Sequence, residues 1–155
     1  MDTEQLESYL HEQIPASALL QIRVKSCSER KVELLAPLHP NINHKNTVFG
    51  GSLSMLAILS GWSLVFMRLA GTHNEIVIQQ SRISYLRPAK TDVTATSGFE
   101  APAQWHRFER SFERKGKARI VISSDILCDG EIVAVHDGTY VAFNRQYGHG
   151  EHDPL

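Results

Sequence analysis

The sequence predicts an α+β domain in which an antiparallel sheet of about six strands wraps around one long central helix. Two patterns lead to this prediction. The apolar run from Gly50 to Met67 carries no charged residue, and most of the segments around it are rich in Ile, Val, Thr and Tyr. A helix without a polar face must be buried, and a surrounding sheet is the way to bury it in a chain of 155 residues. That length corresponds to one domain, expected over residues 1–155.

The helices and the first loop follow from local patterns. A short amphipathic segment, residues 3–11, predicts a helix within an N-terminal lead-in over residues 1–14. Residues 39–47 are rich in asparagine and predict a loop before the central helix. The central helix is predicted from about Gly51 to Leu69, with Gly71 as its left-handed C-terminal residue.

Six segments alternate with period two or are rich in β-branched residues, which is typical of half-buried strands. They are residues 20–25, 31–38, 75–87, 92–99, 117–128 and 131–144. The first two are close enough to form a hairpin. Asp129 and Gly130 predict a second, two-residue hairpin between the last two strands.

A second, shorter helix is predicted between the fourth and fifth strands. Trp105, Phe108 and Phe112 stand at i, i+3 and i+7, and Gly116 follows as a helix end. The polar tail, residues 146–155, is expected to be flexible.

The composition excludes several classes of partner. Lys and Arg number 16 and Asp and Glu number 17, so the net charge is −1 and gives no overall attraction to nucleic acid or anionic lipid. Two cysteines, Cys27 and Cys128, favour a reducing compartment, although one disulfide stays open. The acidic start, residues 1–7, lacks the features of a secretory signal. We therefore expect a cytoplasmic protein that does not bind nucleic acid.

The central apolar run also reaches the minimum length of a membrane span. Four serines and three glycines dilute its apolarity, and no aromatic belt or basic loop flanks it. We expect it to be a core helix rather than a membrane anchor.

Two motifs carry a family resemblance. Residues 43–53, Asn-His-Lys-Asn-Thr-Val-Phe-Gly-Gly-Ser-Leu, resemble the loop and helix start of hot-dog acyl-CoA thioesterases, and residues 84–89, Ser-Tyr-Leu-Arg-Pro-Ala, resemble a strand end of that family. The order of elements matches over roughly residues 15–144. The resemblance is to a thioesterase branch that also occurs fused behind GNAT-type acetyltransferases, a second domain for which this chain is expected to be too short. It implies a hot-dog fold and a homodimer or homotetramer with thioester sites at the dimer interface.

Thioester hydrolysis needs donors for the carbonyl oxygen as it becomes negative, and free N–H groups at a helix N-terminus supply them. Gly50 and Gly51 place such donors at the start of the central helix without side chains. We predict the Gly51 amide as the main oxyanion donor, with Phe49 and Gly50 contacting the substrate. The alternative is that the glycines serve close packing of the helix.

The group that activates water is harder to assign. Members of the family commonly place a carboxylate in the loop or about two turns into the helix, yet residues 50–71 contain no Asp or Glu, and Phe49 stands where the family has histidine. We predict His44 as a proton acceptor, with Asn43 and Asn46 orienting water or the thioester. The alternatives are a histidine bonded to backbone, asparagines that hold turns, and a carboxylate from the partner subunit.

Binding residues are predicted for the rest of the substrate. Arg82, Arg87 and Lys90 lie along or just after the strand expected at the interface and could bind the phosphates of coenzyme A, unless they only form a solvated face. Ser60 is predicted to contact the substrate, but not as a nucleophile, because no nucleophile-elbow sequence surrounds it. No metal and no redox cofactor are predicted, since coenzyme A enters as part of the substrate.

The sequence therefore predicts a hydrolase that converts an acyl thioester of coenzyme A or an acyl carrier protein to free acid and thiol by attack of water. A non-catalytic acyl-thioester binding module is the first alternative, favoured by the missing helix carboxylate. A hydratase or dehydratase would need histidine paired with a carboxylate. A nucleic-acid binder would need basic residues interleaved with aromatics, which only residues 105–117 suggest.

Overall fold

A six-stranded antiparallel sheet packs around one long helix in the computed structural model, which describes residues 1–69, 74–98 and 101–144. The strand order is β1-β2-β4-β5-β6-β3. The elements in chain order are α1 (Thr3–Gln13), α2 (Pro15–Leu19), β1 (Arg23–Cys27), β2 (Lys31–Ala36), α3 (Gly50–Arg68), β3 (Asn74–Tyr85), β4 (Val93–Gly98), α4 (Pro102–Lys115), β5 (Lys117–Cys128) and β6 (Glu131–Asn144). The predicted α+β class and central helix are confirmed.

The central helix α3 is the core of the domain. Leu56, Ala57 and Leu64 on α3 are completely buried, and the helix contacts β2, β3, β4, β5 and β6. Among the described residues α3 is the one helix long and apolar enough to span a membrane, and most of it is buried inside the domain. Contact with the sheet accounts for its apolar composition. It runs from Gly50 to Arg68, one residue before the predicted bound at each end, and the predicted left-handed residue Gly71 lies outside the described residues.

The two predicted hairpins form. β1 pairs with β2 in antiparallel register, and β5 pairs with β6 over nearly its whole length. Asp129 and Gly130 both have positive φ, 50° and 80°, as a tight two-residue turn between twisted strands requires. The bounds of β5 and β6 are those predicted.

The short helix α4 has the predicted orientation. Trp105 and Phe108 are buried, and the C-terminal residue Gly116 has a φ of 67° while its N–H donates to the Phe112 carbonyl. The Arg68 guanidinium at the end of α3 lies 2.6 Å from the Glu109 carboxylate, which fixes α4 against the core helix. The predicted flexible tail, residues 146–155, lies outside the described residues.

The start of the first strand was predicted wrongly. Residues 20–22 belong to the turn after α2, because the N–H of Gln21 donates to Ala18 and that of Ile22 donates to Ser17. Gln21 adopts a positive φ of 53°. The alternation of apolar and polar residues is real, and Ile22 is buried, but the backbone there closes a helix rather than pairing in the sheet.

Cys27 and Cys128 are both free thiols, so the disulfide left open by the sequence does not form. Cys27 is half-buried on β1 and Cys128 is buried at the end of β5. The location of the protein in the cell stays a prediction.

Three buried serine hydroxyls join α3 to the sheet. The Ser97 hydroxyl on β4 donates to Ser60 on α3 at 2.9 Å and lies 2.7 Å from the Ser124 hydroxyl on β5. All three residues are 1% exposed or less. Ser60 therefore lies in the interior on the side of α3 facing β2 and β4, which differs from its predicted contact with substrate.

Replacing Ser97 with alanine should leave Ser60 and Ser124 buried without their shared partner. We expect the free energy of unfolding to fall by about 1–3 kcal/mol in Ser97→Ala, measured by urea denaturation. Ser123→Ala is the matched control, because Ser123 is exposed on the other face of β5, where its hydroxyl donates to Asp137. Its expected loss is below about 0.5 kcal/mol. Equal losses in the two variants would contradict the role assigned to the buried serines.

Candidate active site

The first turn of α3 carries two unoccupied hydrogen-bond donors. Phe49 is the N-cap residue, with extended backbone and no capping side chain, and its carbonyl accepts the N–H groups of Ser52 and Leu53. The N–H groups of Gly50 and Gly51 have no partner within the described part of the chain. The positive end of the helix dipole adds to their attraction for negative charge.

Aromatic rings lie close to both glycines. A Cβ on Gly51 would lie 2.3 Å from Cε1 of Phe49, whose ring is 57% exposed and lies beside the helix start. A Cβ on Gly50 would lie 3.3 Å from the ring of Tyr85. The Tyr85 hydroxyl also donates to the Gly50 carbonyl at 2.9 Å. Tyr85 therefore fastens the start of α3 to the end of β3.

An apolar groove of about 590 Å³ extends from Gly51 between α3 and β3. Met55 and Trp62 line it from α3, and Ile76 and Ile78 line it from β3. The Trp62 indole N–H donates to the Ile76 carbonyl at 2.9 Å and fixes its far end. Eleven helical rises from Gly51 to Trp62 give it a length of about 16 Å.

A smaller pocket of about 360 Å³ lies on the other side of the helix start. Gly50, Thr47 and Tyr85 line it, and Arg87 stands at its rim. The Arg87 guanidinium forms an exposed ion pair with Glu131 at 2.5 Å. The two glycines thus stand between an apolar groove and a pocket with a basic rim.

A serine and a histidine meet on the inner face of the sheet. The Ser81 hydroxyl on β3 lies 2.9 Å from Nε2 of His136 on β6. Ser81 is exposed, whereas His136 is only 2% exposed. Burial lowers the pKa of His136 below its ordinary value of 6.5, despite the opposing effect of the Asp137 carboxylate. The imidazole is therefore neutral at pH 7, and its Nδ1 has no partner among the described residues.

The three predicted loop residues occupy different environments. The Asn43 amide oxygen accepts the N–H groups of Lys45 and Thr47, and its amide nitrogen donates to the Thr47 hydroxyl. Asn43 thus holds the turn, which was the alternative left open by the sequence. Asn46 has a positive φ of 57°, and it and His44 are exposed. The described contacts connect neither His44 nor Asn46 with Gly51, and the catalytic roles of all three stay predictions.

The predicted basic residues are spread over both faces of the sheet edge. Arg82 forms a 3.0 Å ion pair with Asp137. The hydrogen bond from Ser123 and then that from Arg82 lower the pKa of the Asp137 carboxyl. Lys90 is exposed. Of the predicted binding residues, Phe49, Gly50 and Arg87 lie around the helix start, whereas Arg82 is engaged on the opposite face from Ser81.

Three features of the site escaped the sequence analysis: the Ser81 and His136 pair, the anchoring contact of Tyr85, and the groove. Alternation along β3 does place Ser81 and Tyr85 on one face of the strand. A shift in the pairing of β3 with β6 between Ile78 and Gln80 breaks that alternation upstream, and such a bulge has no signal in a single sequence.

The buried neutral histidine makes stability depend on pH. As the pH falls below about 6.5, the unfolded chain protonates at His136 before the native protein does, so the free energy of unfolding falls as the pH drops from 7.5 to 5. The slope from this one group is at most about 1.4 kcal/mol per pH unit. Urea denaturation should show a weaker pH dependence in His136→Gln. The exposed His44→Gln serves as control and should keep the native slope; an unchanged slope in His136→Gln would contradict the assignment.

Comparison with known proteins places this geometry in a family. The family model described as "Putative thioesterase (yiiD_Cterm)" matches residues 3–144. A putative thioesterase from Shewanella oneidensis is 29% identical in a match covering 91% of this chain and 96% of that chain, with a TM-score of 0.79. A protein of unknown function from Chlorobaculum tepidum is 26% identical, covering 92% and 94%, with a TM-score of 0.84.

A probable thioesterase from Pseudomonas aeruginosa shares the fold at 23% identity, with a TM-score of 0.80 and coverage of 94% and 97%. The predicted hot-dog fold and the resemblance to thioesterases are confirmed. These likenesses support thioester hydrolysis in general. Because the match extends over residues 3–144, this chain belongs to the family described as putative thioesterase (yiiD_Cterm).

Proposed function

We propose that the protein hydrolyses an acyl thioester of coenzyme A or of an acyl carrier protein to a free acid and a thiol. The observation that carries the proposal is the pair of N–H groups at Gly50 and Gly51, which have no partner among the described residues. Gly51 lines the apolar groove beside β3, and Gly50 lines the smaller pocket. Membership of the thioesterase family supports the reaction class.

The proposed role of the amides follows from the charge that develops during hydrolysis. The thioester carbonyl oxygen becomes negative as the carbon turns tetrahedral, and fixed N–H donors stabilise that charge without reorganising. Gly51 is exposed, so a carbonyl can approach its N–H. Tyr85 holds the helix start in place through the Gly50 carbonyl, and the donors are therefore fixed before substrate binds.

The groove is proposed to hold the acyl chain. Its walls at Met55, Ile58 and Trp62 are apolar, and burial of apolar surface contributes about 25 cal/mol per Å². A length of about 16 Å fits a chain of intermediate length. The smaller pocket beside Gly50 is proposed for the thiol side of the substrate. Arg87 would leave its ion pair with Glu131 and bind a phosphate of coenzyme A, and Lys90 lies nearby in the sequence.

The free edge of β3 supports a homodimer. β3 is twelve residues long and ends the sheet, so its outer side has no strand partner among the described residues. An edge of that length needs a cover, and we propose that the same edge of a second subunit provides it, with two dimers able to form a tetramer. The groove would then lie at the interface. The proposed reaction uses no metal or redox cofactor, and we propose a cytoplasmic location.

Sedimentation equilibrium tests the proposed assembly. A mass of two or four times 17.4 kDa is expected, because pairing at β3 satisfies its open backbone groups. A single-chain mass at micromolar concentration would contradict it.

Removing the Gly51 N–H tests the proposed oxyanion donor. Gly51→Pro deletes the donor, and proline is tolerated in the first turn of a helix. Gly51→Ala is the matched control, because it keeps the N–H while its methyl displaces the exposed Phe49 ring. We expect kcat for thiol release from acyl-CoA to be about 10²–10³-fold lower in Gly51→Pro than in Gly51→Ala. Equal rates in the two variants would refute the role of this amide.

A panel of short, long and aromatic acyl-CoAs separates hydrolysis from non-catalytic binding. Thiol release is expected, with KM falling as the acyl chain lengthens until it fills the groove. Saturable binding without thiol release would instead favour a binding module, the alternative suggested by the absence of a carboxylate in α3.

A further inference from the structure

The contact between Ser81 and His136 has the form of a nucleophile and its base. The hydroxyl and the imidazole Nε2 are 2.9 Å apart, within the range at which a base activates a serine. His136 is 2% exposed while Ser81 is exposed. The Ser81 hydroxyl therefore lies between the buried imidazole and the solvent beside β3.

The strand register places Ser81 on the same face of β3 as Tyr85, the residue that contacts the start of α3. At one end, Tyr85 touches Gly50. At the other, the Tyr140 hydroxyl donates to the Ile58 carbonyl at 2.9 Å, and Tyr140 pairs with Ile78 on β3. Ser81 lies between Tyr85 and Ile78 on the strand. It therefore faces the stretch of α3 between Gly50 and Ile58, which is about the first two and a half turns of the helix.

The position of the His136 ring is independent evidence that this pair lies on the face of the sheet toward α3. A Cβ on Gly138 would lie 2.9 Å from the His136 ring and 2.8 Å from the Tyr140 hydroxyl, so both rings project from β6 toward α3. Gly138 pairs with Ser81 across the ladder. The missing side chain at Gly138 leaves room for both rings.

Within the described ranges, the acidic residues and the second serine considered for the site lie elsewhere. The α3 segment Gly50–Arg68 contains no Asp or Glu. Asp137 points to the outer face, where it bonds Ser123 and Arg82. Ser60, the other serine considered for the site, is completely buried in the core.

We propose that Ser81 is the nucleophile of the hydrolysis and that His136 is its base, an inference that rests on the proposed thioesterase function. In the first step the Ser81 proton moves to His136 Nε2, Oγ bonds to the carbonyl carbon, and the C–S bond breaks. The leaving sulfur takes the proton from His136, which gives a free thiol and an acyl ester on Ser81. In the second step water attacks that ester, gives a proton to His136, and Ser81 recovers its proton as the C–Oγ bond breaks.

The surroundings of the histidine set an expectation for the rate. The active tautomer carries its proton on Nδ1, which has no partner among the described residues. A carboxylate at that nitrogen would stabilise the imidazolium, and its loss from a Ser-His-Asp triad is costly. Because His136 accepts a proton in both steps, acylation and deacylation are both expected to be slower than in enzymes with a complete triad.

Trapping the acyl group tests the proposal. Native protein is mixed with a stoichiometric amount of the acyl-CoA that turns over fastest, quenched in acid at short times, digested and analysed by mass spectrometry. We expect the acyl mass on the peptide that contains Ser81. Ser81→Ala should show no adduct and a kcat lower by about 10²–10⁴-fold, as should His136→Gln. Ser84→Ala, an exposed neighbour on β3, should keep the native rate.

The Ser81→Cys variant distinguishes a nucleophilic role of Ser81 from a purely structural one. Its thiol should accept the acyl group and accumulate an acyl-cysteine adduct. A native rate in Ser81→Ala would overturn the proposal. Turnover without any adduct on Ser81 at all quench times, or on Cys in the exchanged variant, would also overturn it, because water would then attack the thioester directly.

Failure of the proposed function gives a different result. If native protein releases no thiol from any thioester tested, the proposed function fails, and labelling with a fluorophosphonate then tests the pair alone. Modification of Ser81 in native protein but not in His136→Gln would support an activated serine. If the fluorophosphonate does not modify Ser81, the proposal of an activated serine is overturned.

Discussion

The whole structure depends on burying a helix that has no polar face. Because α3 is apolar nearly all round, the sheet must enclose it, and Leu56 and Leu64 are fully removed from solvent. The ends of a helix buried in this way still carry backbone groups without partners inside the helix. At the N-terminal end the chain uses two glycines and an extended Phe49 without a capping side chain, so burial of the body of the helix leaves its first donors open.

The candidate site lies at the edge of the sheet, where the sheet does not fully enclose α3. β3 ends the sheet, and beside it lie the apolar groove, the Tyr85 contact with Gly50 and the Ser81 hydroxyl over the buried His136. The proposed sites for the acyl chain, the carbonyl oxygen and the nucleophile thus lie along one stretch of helix and one strand. The interior on the other side of α3 is closed by the serine network around Ser97, which explains why Ser60 packs rather than binds.

Much of the fold could be predicted from the sequence because its signals are local. The uncharged run gave α3, and Asp129 and Gly130 gave the turn between β5 and β6. Residues 20–22 were misassigned because alternation looks the same in a strand and in a helix-ending turn. The glycines at the start of α3 were predicted through their motif, and their catalytic role stays a prediction. The contact of Ser81 with His136 was not predicted, since it joins residues 55 positions apart across a ladder whose register shifts at a bulge.

A crystal structure with a ketone analogue of an acyl thioester, in which a methylene replaces the sulfur, tests the central claim most directly. The account predicts the ketone oxygen about 2.7–3.1 Å from the Gly51 nitrogen, with the acyl chain along α3 toward Trp62. An analogue bound elsewhere, or a first turn of α3 covered by protein in the assembled molecule, would contradict it.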